Sequence, residues 1–181
     1  MHVWVICDDY WHPAETVVKG LEPLKECGFA FEVTTNANEL FSGEKSFGDR
    51  LKEFPVILFA KSNNVSAEDR TQWVTDEVQQ TLREYVENGG GLLAVHSGTA
   101  SYKDMPAIRS LLGGIFTNHP PQCPVTVAPK EGHPITKGAK AFTLTDEHYF
   151  MVLDDPQADV FMTTGSEHGE QPGGWTRTQG K

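Results

Sequence analysis

The chain has 181 residues, 38% of them hydrophobic, with 17 glycines and 11 prolines, which suits one loop-rich domain with a sizeable core and excludes a disordered segment. A formal net charge of -10 argues against nucleic acid as a partner, since phosphate binding needs clustered Lys and Arg. No apolar run approaches the ~20 residues of a membrane span, no basic segment precedes an apolar one at the N-terminus, and the scattered Cys7, Cys27 and Cys123 fit a reducing compartment, so a cytoplasmic location is expected.

Residues 2–7 (HVWVIC) read as a first strand. Asp8 and Asp9 follow it, either as caps for the next helix or as site residues. Pro13 suits the first turn of that helix. Its apolar face is Val17, Val18, Leu21 and Leu24, and Pro23 is expected to kink it or end it early. Gly28 closes the segment. Residues 29–34 alternate as a second strand, and residues 36–52 read as a polar loop with one short helix. Residues 55–60 (PVILFA) form a third, fully apolar strand.

Ser66 to Asp69 has the form of a helix start, and the helix is expected to run to about Asn88. Trp73, Val74, Val78, Leu82, Tyr85 and Val86 are spaced for one buried face. Gly89-Gly90-Gly91 ends it, each glycine costing about 1 kcal/mol in a helix. Residues 92–95 then read as a buried strand with His96, Ser97 and Gly98 at its end. A helix over 105–112 stops at Gly113-Gly114. Beyond it, residues 124–128, 141–145 and 159–164 read as strands, with turns at 130–134 and 154–156. Strand, helix, strand, helix, strand is the order of a doubly wound parallel sheet. No repeat and no linker divides the chain, so residues 1–181 are expected to form a single domain.

In an open parallel sheet, ligands collect at the C-terminal ends of the strands. Four polar groups fall at such ends: Asp8, Asp9 and His12; His96 and Ser97 with Thr99, Ser101 and Tyr102; Asn118-His119-Pro120; and Asp146-Glu147-His148-Tyr149. Each has a structural reading beside the functional one. His12 suits an exposed turn, His119 can pack on Pro120, and Glu147 suits a surface. His133-Pro134 reads as an ordinary turn. Serine hydrolysis is disfavoured, because Val95 stands where G-x-S-x-G needs glycine. Two chemistries remain open. A metal site needs three or four ligands and could draw on His12, His96, His119 and Glu147, although no H-E-x-x-H spacing is present. Without a metal, His96 or His119 serves as general base with Glu147 or Asp146 as its partner. No dinucleotide fingerprint is present.

A helix ending in GGG, then LLAVHSGTASY, GGIFTNHP, GHPIT, TDEHY and WTRTQGK, in that order, resembles the ThuA-like family, named for trehalose utilisation. The resemblance implies a three-layer flavodoxin-like α/β fold, related to class I glutamine amidotransferases, with a central mostly parallel sheet. It also implies a role in carbohydrate metabolism. Amidotransferases carry a nucleophilic cysteine in G-x-C-x-G at a strand-helix elbow. Here the matching stretch is Ala94-Val95-His96-Ser97-Gly98, so a histidine stands in the cysteine's place and amidotransferase activity is not expected. The family pattern continues beyond WTRTQGK with a strand, a Gly-His turn and a closing helix, which this chain is expected to lack.

By this resemblance the chain acts on a sugar or keto-sugar, as a keto-sugar isomerase or hydrolase. His96, His119 and Glu147 are expected to be its catalytic residues, and Asp9, His12, Ser97, Tyr102 and Asp146 to bind substrate. In the metal alternative, His12, His96 and His119 hold zinc or manganese. The expected partner is a small carbohydrate, with neither nucleic acid nor membrane involved and a homo-oligomer left open. The alternative function is a non-catalytic carbohydrate-binding or assembly module.

Overall fold

Four apolar runs pair as a parallel sheet in the order β2-β1-β3-β4: β1 (His2–Cys7), β2 (Ala30–Thr34), β3 (Val56–Ala60) and β4 (Gly91–Ala94). The computed structural model describes residues 1–156 and 158–180. β1 and β3 lie in the middle of the sheet, and their unbroken apolar sequences follow from being covered on both faces. On one face Val3, Val5, Cys7, Leu58 and Ala60 form a core that Ala14, Val17 and Leu21 of α1 (Ala14–Lys25) cover. On the other, Trp4 packs on Phe54 and on Phe47 of α2 (Phe47–Leu51), and its indole N–H donates to Thr34. α3 (Asp76–Glu87) buries Val78, Leu82 and Tyr85. α4 (Pro106–Leu112) is tied to α3 by the Ala107 amide, which donates to Gln79. Helix, sheet and helix layers make this the flavodoxin-like α/β class that the family resemblance implies, around the parallel sheet that the sequence pattern predicts.

The chain divides into two compact units, Met1–Leu111 with the C-terminal residues from 179, and Leu112–Thr178. The second unit is antiparallel. β5 (Gly114–Asn118) precedes β6 (Cys123–Pro129) and β7 (Phe142–Asp146), and β8 (Phe150–Leu153) turns back onto β5. β9 (Asp159–Ser166) and β10 (Gly169–Thr176) complete a second sheet in the order β10-β9-β6-β7. Among the described residues, no helix is long and apolar enough to cross a membrane.

Several expectations are corrected. β4 is an edge strand rather than a buried one, and Leu93 and Val95 are 52% and 41% exposed. α3 begins at Asp76, capped by the Thr75 hydroxyl, and not near Ser66. The Ser66 hydroxyl does accept the Glu68 and Asp69 amides, but the side-chain Oδ1 of the buried Asn63 accepts the Trp73 and Val74 amides and holds that stretch as a loop. α1 runs past Pro23 but only to Lys25, the proline removing the one ladder bond that an amide at position 23 would make to the Lys19 carbonyl. The polar stretch after β2 holds a 3₁₀ turn (Ala37–Phe41) as well as α2. β5, β8 and β10 escape the sequence reading. β10 contains Pro172, Gly173 and Gly174, residues that disfavour strands, and its pairing with β9 shifts register there.

The turn after β4 admits no larger residue. A Cβ at Gly98 would lie 1.9 Å from the Phe59 carbonyl oxygen of β3. Gly98→Ala is therefore expected to destabilise the fold by about 3 kcal/mol. Urea denaturation measures this, and an unchanged midpoint would contradict the packing.

Candidate active site

The strand order 2-1-3-4 reverses direction between β1 and β3, and such a switch point is where open α/β sheets bind ligands. Register then decides which residues meet. Cys7 pairs with Ala60, and Phe59 with Ala94. Asp8-Asp9, Lys61-Ser62 and Val95-His96 therefore leave the sheet side by side.

Asp9 organises this edge. Its Oδ2 accepts the Ser62 amide at 2.9 Å, which ties the end of β1 to the end of β3. Its Oδ1 accepts the amides of Trp11 (2.9 Å) and His12 (3.1 Å) and lies 2.8 Å from His12 Nδ1. Burial alone pushes the Asp9 carboxyl up, but the His12 ring and the Ser62 and Trp11 amides outweigh it and hold the group well below the usual carboxylate range. An ionised carboxylate only accepts, so Nδ1 of His12 carries the proton. A role as base or ligand therefore falls to Nε2.

Asp8 has a different task. Its carboxylate accepts the Ala14 amide at 2.9 Å and so caps α1, one of the two roles open to the Asp8-Asp9 pair. Its backbone is left-handed, with φ of 71°. Lys61, fully buried, donates from Nζ to the carbonyls of Cys7, Asp8 and Thr35. Burial lowers its pKa, while Asp8 and Asp9 oppose that shift. Sequence reading missed Lys61. A lysine ending a wholly apolar strand was the available signal.

His96 opens a 3₁₀ turn (His96–Thr99) and is also left-handed, with φ of 48°. Its imidazole is exposed and meets the His12 ring edge-on, with centroids 4.8 Å apart. Ring nitrogens of the two histidines lie within 4.8 Å of each other. Ser97 and Tyr102, expected to bind substrate, are buried, and the Tyr102 hydroxyl donates to the Lys61 carbonyl at 2.6 Å. These two side chains floor the edge. A hollow of about 880 Å³ lined by Phe47, Pro55, Tyr85 and Gly90 lies elsewhere, at the N-terminal ends of β3 and β4.

The second unit carries its own pair. Pairing of β5 with β8 brings His119, just after β5, near Glu147, just before β8. His119 Nδ1 lies 2.8 Å from the Pro120 carbonyl, which only accepts, so the proton sits on Nδ1. Nε2 is 3.8 Å from Glu147 Oε1. Tyr149 stacks on the His119 ring, and Phe116 packs against both. Asp146 is exposed and accepts the Glu147 amide. His148 is fully buried, with Nε2 on the Thr164 carbonyl and Nδ1 on the Ser166 hydroxyl, and it pins this corner to β9.

Residues 6–181 match the model of the ThuA family, described as trehalose utilisation. Among solved structures, a ThuA-like protein from Parabacteroides merdae is 15% identical with a TM-score of 0.74, over 99% of this chain and 76% of that one. A cytoplasmic protein from Salmonella typhimurium is 13% identical with a TM-score of 0.68, over 92% and 80%. A glutamine amidotransferase from Thermotoga maritima is 12% identical with a TM-score of 0.54, over 94% and 69%. At these identities the likeness shows the fold, which is glutamine amidotransferase-like. No curated protein matches the chain.

The ionised Asp9 has a consequence for stability. A carboxyl whose folded pKa lies below its unfolded value, near 3.9, stabilises the fold above that value and stops doing so as pH falls through the folded one. Asp9→Asn is expected to cost about 1–3 kcal/mol at pH 7. The gap from wild type should narrow below about pH 4. Urea titrations at pH 7 and pH 3 test this, and an equal gap at both would contradict an ionised Asp9.

Proposed function

The chain belongs to the ThuA family, and on that premise we propose that it acts in carbohydrate metabolism, on a sugar or keto-sugar, by histidine-carboxylate acid-base chemistry. The observation that carries this is the Asp9 carboxylate 2.8 Å from His12 Nδ1, with the His96 ring edge-on to His12 at 4.8 Å. Asp9 fixes the His12 tautomer, so a proton taken from substrate goes to Nε2, and its carboxylate faces the imidazolium that forms. In keto-sugar isomerisation, His12 Nε2 takes the proton from the carbon beside the carbonyl. His96 donates a hydrogen bond to the carbonyl oxygen as it gains charge, the proton of the neighbouring hydroxyl passes to that oxygen, and His12 returns its proton to the former carbonyl carbon, which leaves the new carbonyl on the carbon first deprotonated. His119 and Glu147 supply a second acid-base pair in the other unit. Glutamine hydrolysis lies outside this proposal. His96 occupies the elbow, and Cys7 at the end of β1 is buried, its thiol pushed up to about 11 chiefly by that burial.

The same two imidazoles support a second reading. A carboxylate on the far nitrogen of a histidine is the usual support for a metal ligand. His12 and His96 would then be two of the three or four ligands that zinc needs, and manganese accepts a similar set. Such an ion would polarise a sugar carbonyl.

His12→Ala and His96→Ala are each expected to lower kcat for keto-sugar conversion at least ~100-fold with circular dichroism unchanged. Unchanged turnover in His96→Ala would sink the acid-base reading, and sugar binding without conversion by wild type would replace it with a carbohydrate-binding module. Elemental analysis separates the metal reading. Stoichiometric zinc or manganese, lost in both variants, supports it, and full activity after chelation overturns it.

A further inference from the structure

The residues before His12 are Tyr10 and Trp11, both large aromatics left 40% and 71% exposed. A single exposed aromatic needs no explanation. This pair differs because it is held in place. The Trp11 amide donates to Asp9 Oδ1, the same oxygen that accepts the amide and ring nitrogen of His12. The indole meets the Tyr10 ring edge-on at 4.6 Å. The Arg70 guanidinium lies over the Tyr10 ring, 3.2 Å from its centroid, and 5.9 Å from that of Trp11. Arg70 stands in a pinned loop, where its carbonyl accepts from Asn64 and the Thr71 carbonyl accepts the Val65 amide.

We propose that Tyr10, Trp11 and Arg70 form a pyranose-binding subsite beside His12. Sugars present C–H bonds on a ring face and hydroxyls around the rim. The C–H face stacks on the indole, and Arg70 donates to the hydroxyl oxygens. A ring already ordered by its neighbours loses little entropy on binding. The net charge of -10 favours a neutral ligand over an anionic one. Since one carboxylate oxygen positions both Trp11 and His12, a ring on this platform directs the next part of the sugar toward the imidazole. The subsite thus favours a disaccharide over a monosaccharide. This rests on the carbohydrate reading above and adds the part of the molecule that holds the non-reacting ring.

Trp4 and Trp73 are buried and Trp175 half-buried, so Trp11 is the tryptophan most open to an aqueous quencher. Full-length protein is titrated with trehalose, with mannitol as an open-chain polyol control, while acrylamide quenching is followed. Trehalose should protect the fluorescence and mannitol should not. Trp11→Ala should weaken trehalose binding by calorimetry about tenfold, or about 1.4 kcal/mol. Trp11→Phe, which keeps a stacking face, should restore most of that affinity. No trehalose binding by wild type, or equal affinity in Trp11→Ala, overturns the proposal. So does a variant that loses only self-association on gel filtration. Binding that depends on Trp11 without any turnover upholds the subsite and removes the proposed chemistry. Keto-sugar turnover indifferent to Trp11 removes the subsite alone.

Discussion

One buried carboxylate ties together the C-terminal strand ends of the first unit. Asp9 has almost no exposure, and an unpaired charge there would cost several kcal/mol. Instead it accepts from the amides of Trp11, His12 and Ser62 and from the His12 ring. Lys61 is the counterweight, an ammonium buried against the carbonyls that end β1 and follow β2. Together the two side chains tie three strand ends at the point where the sheet reverses order. Neither group can leave without stranding the backbone donors or acceptors it serves.

That constraint accounts for the strained backbone nearby. Asp8, His96 and Ser101 are the described residues other than glycine with positive φ; Asp8 directly follows β1, and His96 stands two residues past the end of β4. Left-handed backbone costs about 1–3 kcal/mol for a residue with a side chain. At Asp8 it lets one residue cap α1 with its carboxylate while its carbonyl serves Lys61. At His96 it turns the chain sharply out of β4, and Gly98 then fits against the β3 backbone with no room for a Cβ. His12 and His96 meet as a result of these two turns.

The fold is similar to that of a glutamine amidotransferase. A fold provides positions, and the side chains placed at them set the reaction. Here the elbow carries an imidazole, and a second imidazole fixed by a carboxylate lies beside it. The second unit repeats the theme independently. The Pro120 carbonyl fixes the His119 tautomer and turns Nε2 toward Glu147.

The sequence by itself determined the parallel sheet, its helices and the ends at which His12 and His96 stand. Apolar runs such as VILFA and glycine runs such as GGG are local signals that need no partner to be read. It also marked His119 and Glu147 as polar residues at strand ends. It could not show that β4 lies at an edge, that the loop before α3 is held open by Asn63, or that β10 pairs through a bulge despite its proline and glycines. Those outcomes belong to tertiary structure, because each depends on a partner distant in sequence. The same holds within the site. Only the register of β1 against β3 brings the Ser62 amide to Asp9 across 53 positions of chain, and only burial turns Lys61 and Tyr102 from plausible surface groups into the floor beneath it.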